Sequence, residues 1–174
     1  MKFHYILILA SAAFLSACKQ ASNEVSVDGP SAALSKVLAA APAGKPQSIH
    51  TIRHTAKPGD EITIHGRIMG SASPFVDGRA LFILGDPETL TPCNEMPGDE
   101  CDTPWDVCCD TPEAKKLGTA TVQIVDDGGL VLKESVEGIG GLVNLVHVTV
   151  TGKVAEGSSP ELLLVNASAI RTGE

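Results

Sequence analysis

Aromatic residues are scarce: four Phe, one Tyr and one Trp among 174 residues. Positive charge is scarce too, with 13 Lys and Arg against 21 Asp and Glu, a formal net charge of −8. Proteins that hold single-stranded nucleic acid stack bases on aromatics in a basic groove, and phosphate contacts need Lys and Arg. This composition argues against that class. No long apolar run is present either. The longest, from Tyr5 to Leu15, is about eleven residues, where a membrane-spanning helix needs roughly 20. The motifs G-x-S-x-G, H-E-x-x-H, the P-loop and G-x-G-x-x-G are all missing. The Gly-Ile-Gly-Gly cluster at 138–141 lacks a strand–helix context and reads as a loop. No catalytic residue is predicted, and a non-enzymatic protein is expected.

What is present begins at the start of the chain. "MKFHYILILASAAFLSAC" has one early positive charge, Lys2, then the apolar run, then small residues before a cysteine. That is the layout of a secretory signal peptide, expected over residues 1–17. Leu15-Ser16-Ala17-Cys18 resembles a bacterial lipobox. The resemblance implies cleavage before Cys18, diacylation of its thiol and acylation of the new amine, so the membrane is an expected partner through the lipid. Two or three buried acyl chains hold a protein durably. Lys19 after the cysteine implies the outer membrane where the cell has one, with the domain facing the periplasm or the exterior. Cleavage would leave 12 basic against 21 acidic residues, a net −9, and three aromatics: Phe75, Phe82 and Trp105. It would also leave four cysteines, all within residues 93–109.

Residues 18–48 are rich in Ala, Ser, Gly and Pro and read as a flexible tether. Within it, 31–41 has a helical pattern, with Leu34, Val37 and Leu38 on one face and Pro42 and Gly44 as terminators. Weak docking of that face is expected. From residue 49 to 174 the pattern changes to period two, the strand signal. Ile62, Ile64 and Ile68 alternate with Thr63, His65 and Arg67. Ala80, Phe82 and Leu84 form a second inward row, with Leu81 and Ile83 opposite, so that strand is covered on both faces. Ala120, Val122 and Ile124 form a third, and Val146, Val148, Val150 and Val154 a fourth. "ELLLVNASAI" is the fifth. A short helix fits the Gly-rich stretch between the third and fourth. Gly66 and Gly152 sit inside strands, where glycine marks a bulge or a sharp bend.

The phrases "PGDEITIHGRI", "RALFILGD", "TATVQIVD" and "VHVTVTGKV" resemble the strands of small exported OB-fold proteins of bacteria. The resemblance implies an all-β, five-stranded OB-like Greek-key barrel. A small β-sandwich is the alternative. Residues 87–117 depart from that pattern as an acidic, Cys-rich insertion between strands two and three. "SPFVDGRALFILGD" with "CDTPWDVCC" also resembles exported proteins carrying a "TPWDYCC"-like segment, a resemblance that brings no activity with it.

The insertion holds Cys93, Cys101, Cys108 and Cys109, the acids Glu95, Asp99, Glu100, Asp102, Asp106 and Asp110, and Trp105, with no Lys or Arg in 91–110. Loops this long are functional, disordered or stapled. An even number of cysteines in an exported protein points to disulfides. Barring a 108–109 bond, two pairings stay open: 93–108 with 101–109, or 93–109 with 101–108. The alternative is a metal site for copper or zinc using the four cysteines and Met96. The spacing C-x7-C-x6-C-C lacks the close pairs of known zinc frameworks. Thiol redox chemistry is a third reading, weakened by the missing C-x-x-C and by acids that raise thiol pKa values. The acids themselves read as a solvated loop, since the EF-hand pattern is absent. Trp105 is expected to plug the insertion from beneath. His65 and His147 are expected outward on neighbouring strands, and His50 and His54 on an extended segment. Asn166-Ala167-Ser168 matches a glycosylation sequon but falls within a strand. The expected function is an envelope-tethered binding or structural protein, meeting a protein or small-molecule partner and no nucleic acid.

Overall fold

A computed structural model describes residues 29–98 and 100–173. The expected leader, Cys18 and the tether up to residue 28 lie outside the described residues. The chain runs α1 (Ala32–Ala39), β1 (Gln47–Ser48), α2 (Ile49–Ile52), β2 (Glu61–Ile68), β3 (Leu81–Gly85), α3 (Pro112–Gly118), β4 (Thr119–Gln123), β5 (His147–Val154) and β6 (Leu164–Thr172). Single 3-10 turns form at Cys93–Glu95 and Ile139–Gly141. Among the described residues, no helix is long and apolar enough to cross a membrane.

The five long strands close into a barrel. Neighbours follow the order β2-β3-β4-β6-β5, and β5 pairs back onto β2. β4 and β6 run parallel and the other barrel pairs antiparallel. This is the OB-like barrel that the resemblance implied, not a sandwich. Ile62, Ile64 and Ile68 face one core with Phe82, Leu84, Val122, Val148, Val150 and Val165. Period-two apolar residues put one whole face of each strand inside.

The two strand glycines mark close crossings. A Cβ on Gly66 would stand 2.5 Å from the carbonyl oxygen of Gly85 on β3. One on Gly152 would press into the backbone of Asn166 on β6, where the β5–β6 register shifts. Any side chain there would push the strands apart. The fifth strand starts at Leu164, later than its apolar run suggests, because residues 159–162 form a turn that leaves Leu162 exposed.

The stretch expected to carry a helix between the third and fourth barrel strands holds only the 3-10 turn at Ile139–Gly141. The helix packed on the barrel is α1 instead. Ser31 caps it, accepting from the Leu34 amide at 3.2 Å, and the Ser31 amide donates to Glu134 at 3.0 Å. Leu34 is fully buried in the main core beside Val37, and α1 lies along β6. Residues 29–48 of the expected tether therefore carry packed structure. β1 adds a parallel edge to β2, Gln47 opposite Ile64. Thr63 and Thr151 share a 2.8 Å hydroxyl contact beneath Ala43, and the Ala43 amide donates to Thr151 at 2.9 Å.

Leu34→Ala should cost about 2–5 kcal/mol, the usual range for emptying a buried leucine site. Chemical denaturation measures it. A variant as stable as the parent would mean that α1 does not dock.

Candidate functional site

Residues 87–117 form the insertion expected between the second and third barrel strands. Its two ends meet: Gly85 pairs with Thr119, and the Asp86 amide donates to the Gly118 carbonyl at 2.8 Å. It leaves the barrel through a turn organised by Asp86, whose fully buried carboxylate accepts from the amides of His50 and Glu88, both at 2.9 Å. His50 Nδ1 lies 2.8 Å from the same carboxylate. His50 thus sits in the helical turn α2 rather than on an extended segment, and this His–Asp contact was not foreseen. α3 was missed too. Its signal was present: Thr111 accepts from the Ala114 amide at 3.1 Å and Pro112 opens the first turn, a standard helix start.

The insertion has a small core of its own. Met69, Leu90 and Val107 are buried together, with Trp105, Ala114 and Leu145 packed against them. Trp105 is therefore part of the expected plug, and it also ties down the β2–β3 loop. Its indole donates to the Ala72 carbonyl at 3.0 Å, and its own carbonyl accepts from the Gly70 amide at 3.2 Å. Inside the insertion, the Cys93 amide donates to the Asp106 carbonyl at 2.8 Å and the Asn94 amide to that of Pro104 at 3.0 Å. These bonds bring the first limb, around Cys93, against the limb that carries Cys108.

Three of the acids fasten this arrangement. Glu95 pairs with Arg67 of β2 at 2.5 Å. Asp106 accepts from the Val107 amide at 2.7 Å, and Asp110 from the Thr91 amide at 2.9 Å. Glu100 and Asp102 are exposed, and Asp99 lies outside the described residues. The expected solvated acidic loop is thus only partly solvated.

The fold gathers three of the cysteines. The sulfurs of Cys93, Cys101 and Cys108 all lie within 4.8 Å of one another. Cys93 is 1 % exposed, Cys101 half-buried and Cys108 exposed. Cys93 and Cys108 stand 3.4 Å apart. Cys109 is exposed, its sulfur 3.8 Å from that of Cys108. Cys101 also meets the Thr103 hydroxyl at 3.3 Å. No disulfide links the four: a bond needs about 2.05 Å, and the 3.4 Å contact is well beyond it. Met96 ends the 3-10 turn, 37 % exposed. Burial pushes the Cys93 thiol up to about 12. The Cys108 thiol is raised as well: contact with Cys93 pulls it down, but contact with Cys109 and desolvation outweigh this. Protonated thiols are poor nucleophiles. The cause here is burial and neighbouring sulfur, rather than the acids expected to supply it.

The other histidines do not join this site. His65 and His147 sit on adjacent strands as expected, but in diagonal register, His65 opposite Thr149 and His147 opposite Arg67. Asn166, the sequon asparagine, lies in β6 with its side-chain oxygen accepting from Gln123 at 2.6 Å. No protein-family model matches the chain, and no curated protein matches it.

Met69→Ala should cost about 2–5 kcal/mol, since Met69 is fully buried between barrel and insertion. It should also speed alkylation of Cys93 relative to Cys109. Unchanged stability and labelling would show that the insertion does not lean on this residue.

Proposed function

We propose that this chain is a lipid-anchored, non-enzymatic binding protein of the bacterial envelope, with the barrel as a stand and the insertion as its ligand-binding element. The observation that carries this reading is the gathering of three thiols on an insertion braced by its own core. The acyl anchor rests on the lipobox at Cys18. Thirteen residues, 19–31, lie between Cys18 and the start of α1, so the helix stays within about 50 Å of the lipid attachment point, the reach of a fully extended chain. The partner class is a protein or a small molecule or ion. A net charge of −9 and three aromatics after cleavage disfavour nucleic acid.

A second state of the same insertion is supported by the 3.4 Å approach of Cys93 and Cys108. In an oxidising compartment these two are the best placed to close a bridge, which favours 93–108 with 101–109 over the other pairing. Each bridge would staple a short loop, worth about 2–3 kcal/mol by loop-closure entropy.

Two measurements bear on this. Cys18→Ser should move the protein from the membrane to the soluble fraction; unchanged membrane retention would sink the anchor. Intact mass of the purified protein, alkylated without reductant, reads the thiol state. Four alkyl groups, or protection that a chelator relieves, supports a thiol-based binding element. A mass lighter by four hydrogens, with no alkylation, means that the resting protein is stapled and its cysteines are structural.

A further inference from the structure

We propose that Cys93, Cys101 and Cys108 form a three-sulfur site for a soft monovalent metal ion, copper(I). The proposal rests on the reading of the insertion as the ligand-binding element, and it names the ligand. Three donors about 2.3 Å from a central ion, a typical metal–thiolate distance, stand about 4 Å apart when trigonal. The three sulfurs already lie within 4.8 Å of one another, with one pair at 3.4 Å. Binding therefore needs side-chain adjustment, not rearrangement of the backbone. The backbone bonds from Cys93 to Asp106 and from Asn94 to Pro104 hold the two limbs in place beforehand.

The donor set selects the ion. Among the described residues, the three cysteines are the one group of His, Cys, Asp or Glu gathered closely enough to hold a metal. The nearby carboxylates of Glu95, Asp106 and Asp110 are turned to Arg67 and to backbone amides. Among the described residues the gathered donors are sulfur alone, a soft set that suits copper(I) and offers little to calcium or magnesium. Zinc also accepts thiolates but takes four donors in closed sites. Cys109 falls outside the gathered three: its sulfur is 3.8 Å from that of Cys108 but not within 4.8 Å of all three. Copper(I) enters without electron transfer. Each thiol that ligates gives its proton to solvent, and three metal–sulfur bonds form.

The test uses the full chain, lipidated and purified in detergent, reduced, freed of reductant and titrated without oxygen with copper(I) held by excess bicinchoninate. The expected result is one copper per chain withdrawn from the chelator. Cys101→Ser and Cys108→Ser should each weaken retention by at least tenfold, while Cys109→Ser leaves it unchanged. The first two positions are not fully buried, so these variants should keep the parent circular dichroism, which Cys93→Ser need not. No copper withdrawn by a chain with four alkylatable thiols would overturn the copper proposal and leave the insertion reading standing. Copper retained by both serine variants but lost from His65→Ala or His147→Ala would overturn both. Displacement of copper by equimolar zinc, with Cys109→Ser abolishing that zinc binding, would overturn the three-sulfur copper site in favour of a four-cysteine zinc site.

Discussion

Strand β2 holds three partners on its two edges. It bonds to β5 from Glu61 to Arg67, to β3 at Arg67 and Ile68, and to β1 at Ile64 and His65. It does so because β5 takes one edge while β3 and β1 share the other in turn, and closing the barrel coils the strand. The coil brings the backbones of β2 and β3 into contact at Gly66 and Gly85, with no room for a side chain. Barrel closure, the seat of the N-terminal segment and the point where the insertion departs all follow from this strand.

The insertion solves a separate problem. It has too few apolar residues to fold alone, and it begins where β3 has just left β2. Met69, at the end of β2, supplies the missing apolar partner for Leu90 and Val107. Arg67, one turn of the pleat earlier, faces outward and reaches Glu95 of the insertion and the Leu145 carbonyl of the loop before β5. The same strand thus builds the barrel core from one face and anchors the insertion from the other. The thiols gather because the limbs they sit on are bonded together, not because they are close in sequence.

That difference explains what was legible beforehand. Alternation in "EITIHGRI" and "HVTVTGKV" reveals which face is inside; closure is implied by the resemblance to OB-fold strands, since five such strands would equally suit a sandwich. The glycines at 66 and 152 announce a close crossing because no other residue tolerates one. α2 was hidden: four residues carry no periodicity, and its support comes from Asp86, distant in the chain. The docking of α1 was half visible, since the apolar face of Leu34 and Val37 shows in the sequence but the surface receiving it does not. Gaps of seven and six residues between cysteines say nothing of geometry when the intervening chain doubles back. The meeting of Cys93 and Cys108 depends on hydrogen bonds from the Cys93 and Asn94 amides to the carbonyls of Asp106 and Pro104, and no local pattern encodes those.

The ends of the insertion lie side by side, Asp86 bonded to Gly118 at the foot of the β3–β4 pair. Seen from the barrel, the whole excursion is equivalent to a tight hairpin turn. Closing 31 residues rather than a handful adds only about 1–2 kcal/mol of entropy, because the cost grows with the logarithm of length. The excursion can therefore be lengthened, shortened or exchanged while the strands keep their register. Its chemistry is free to diverge on a scaffold that has to change with it only where Met69 and Arg67 touch it.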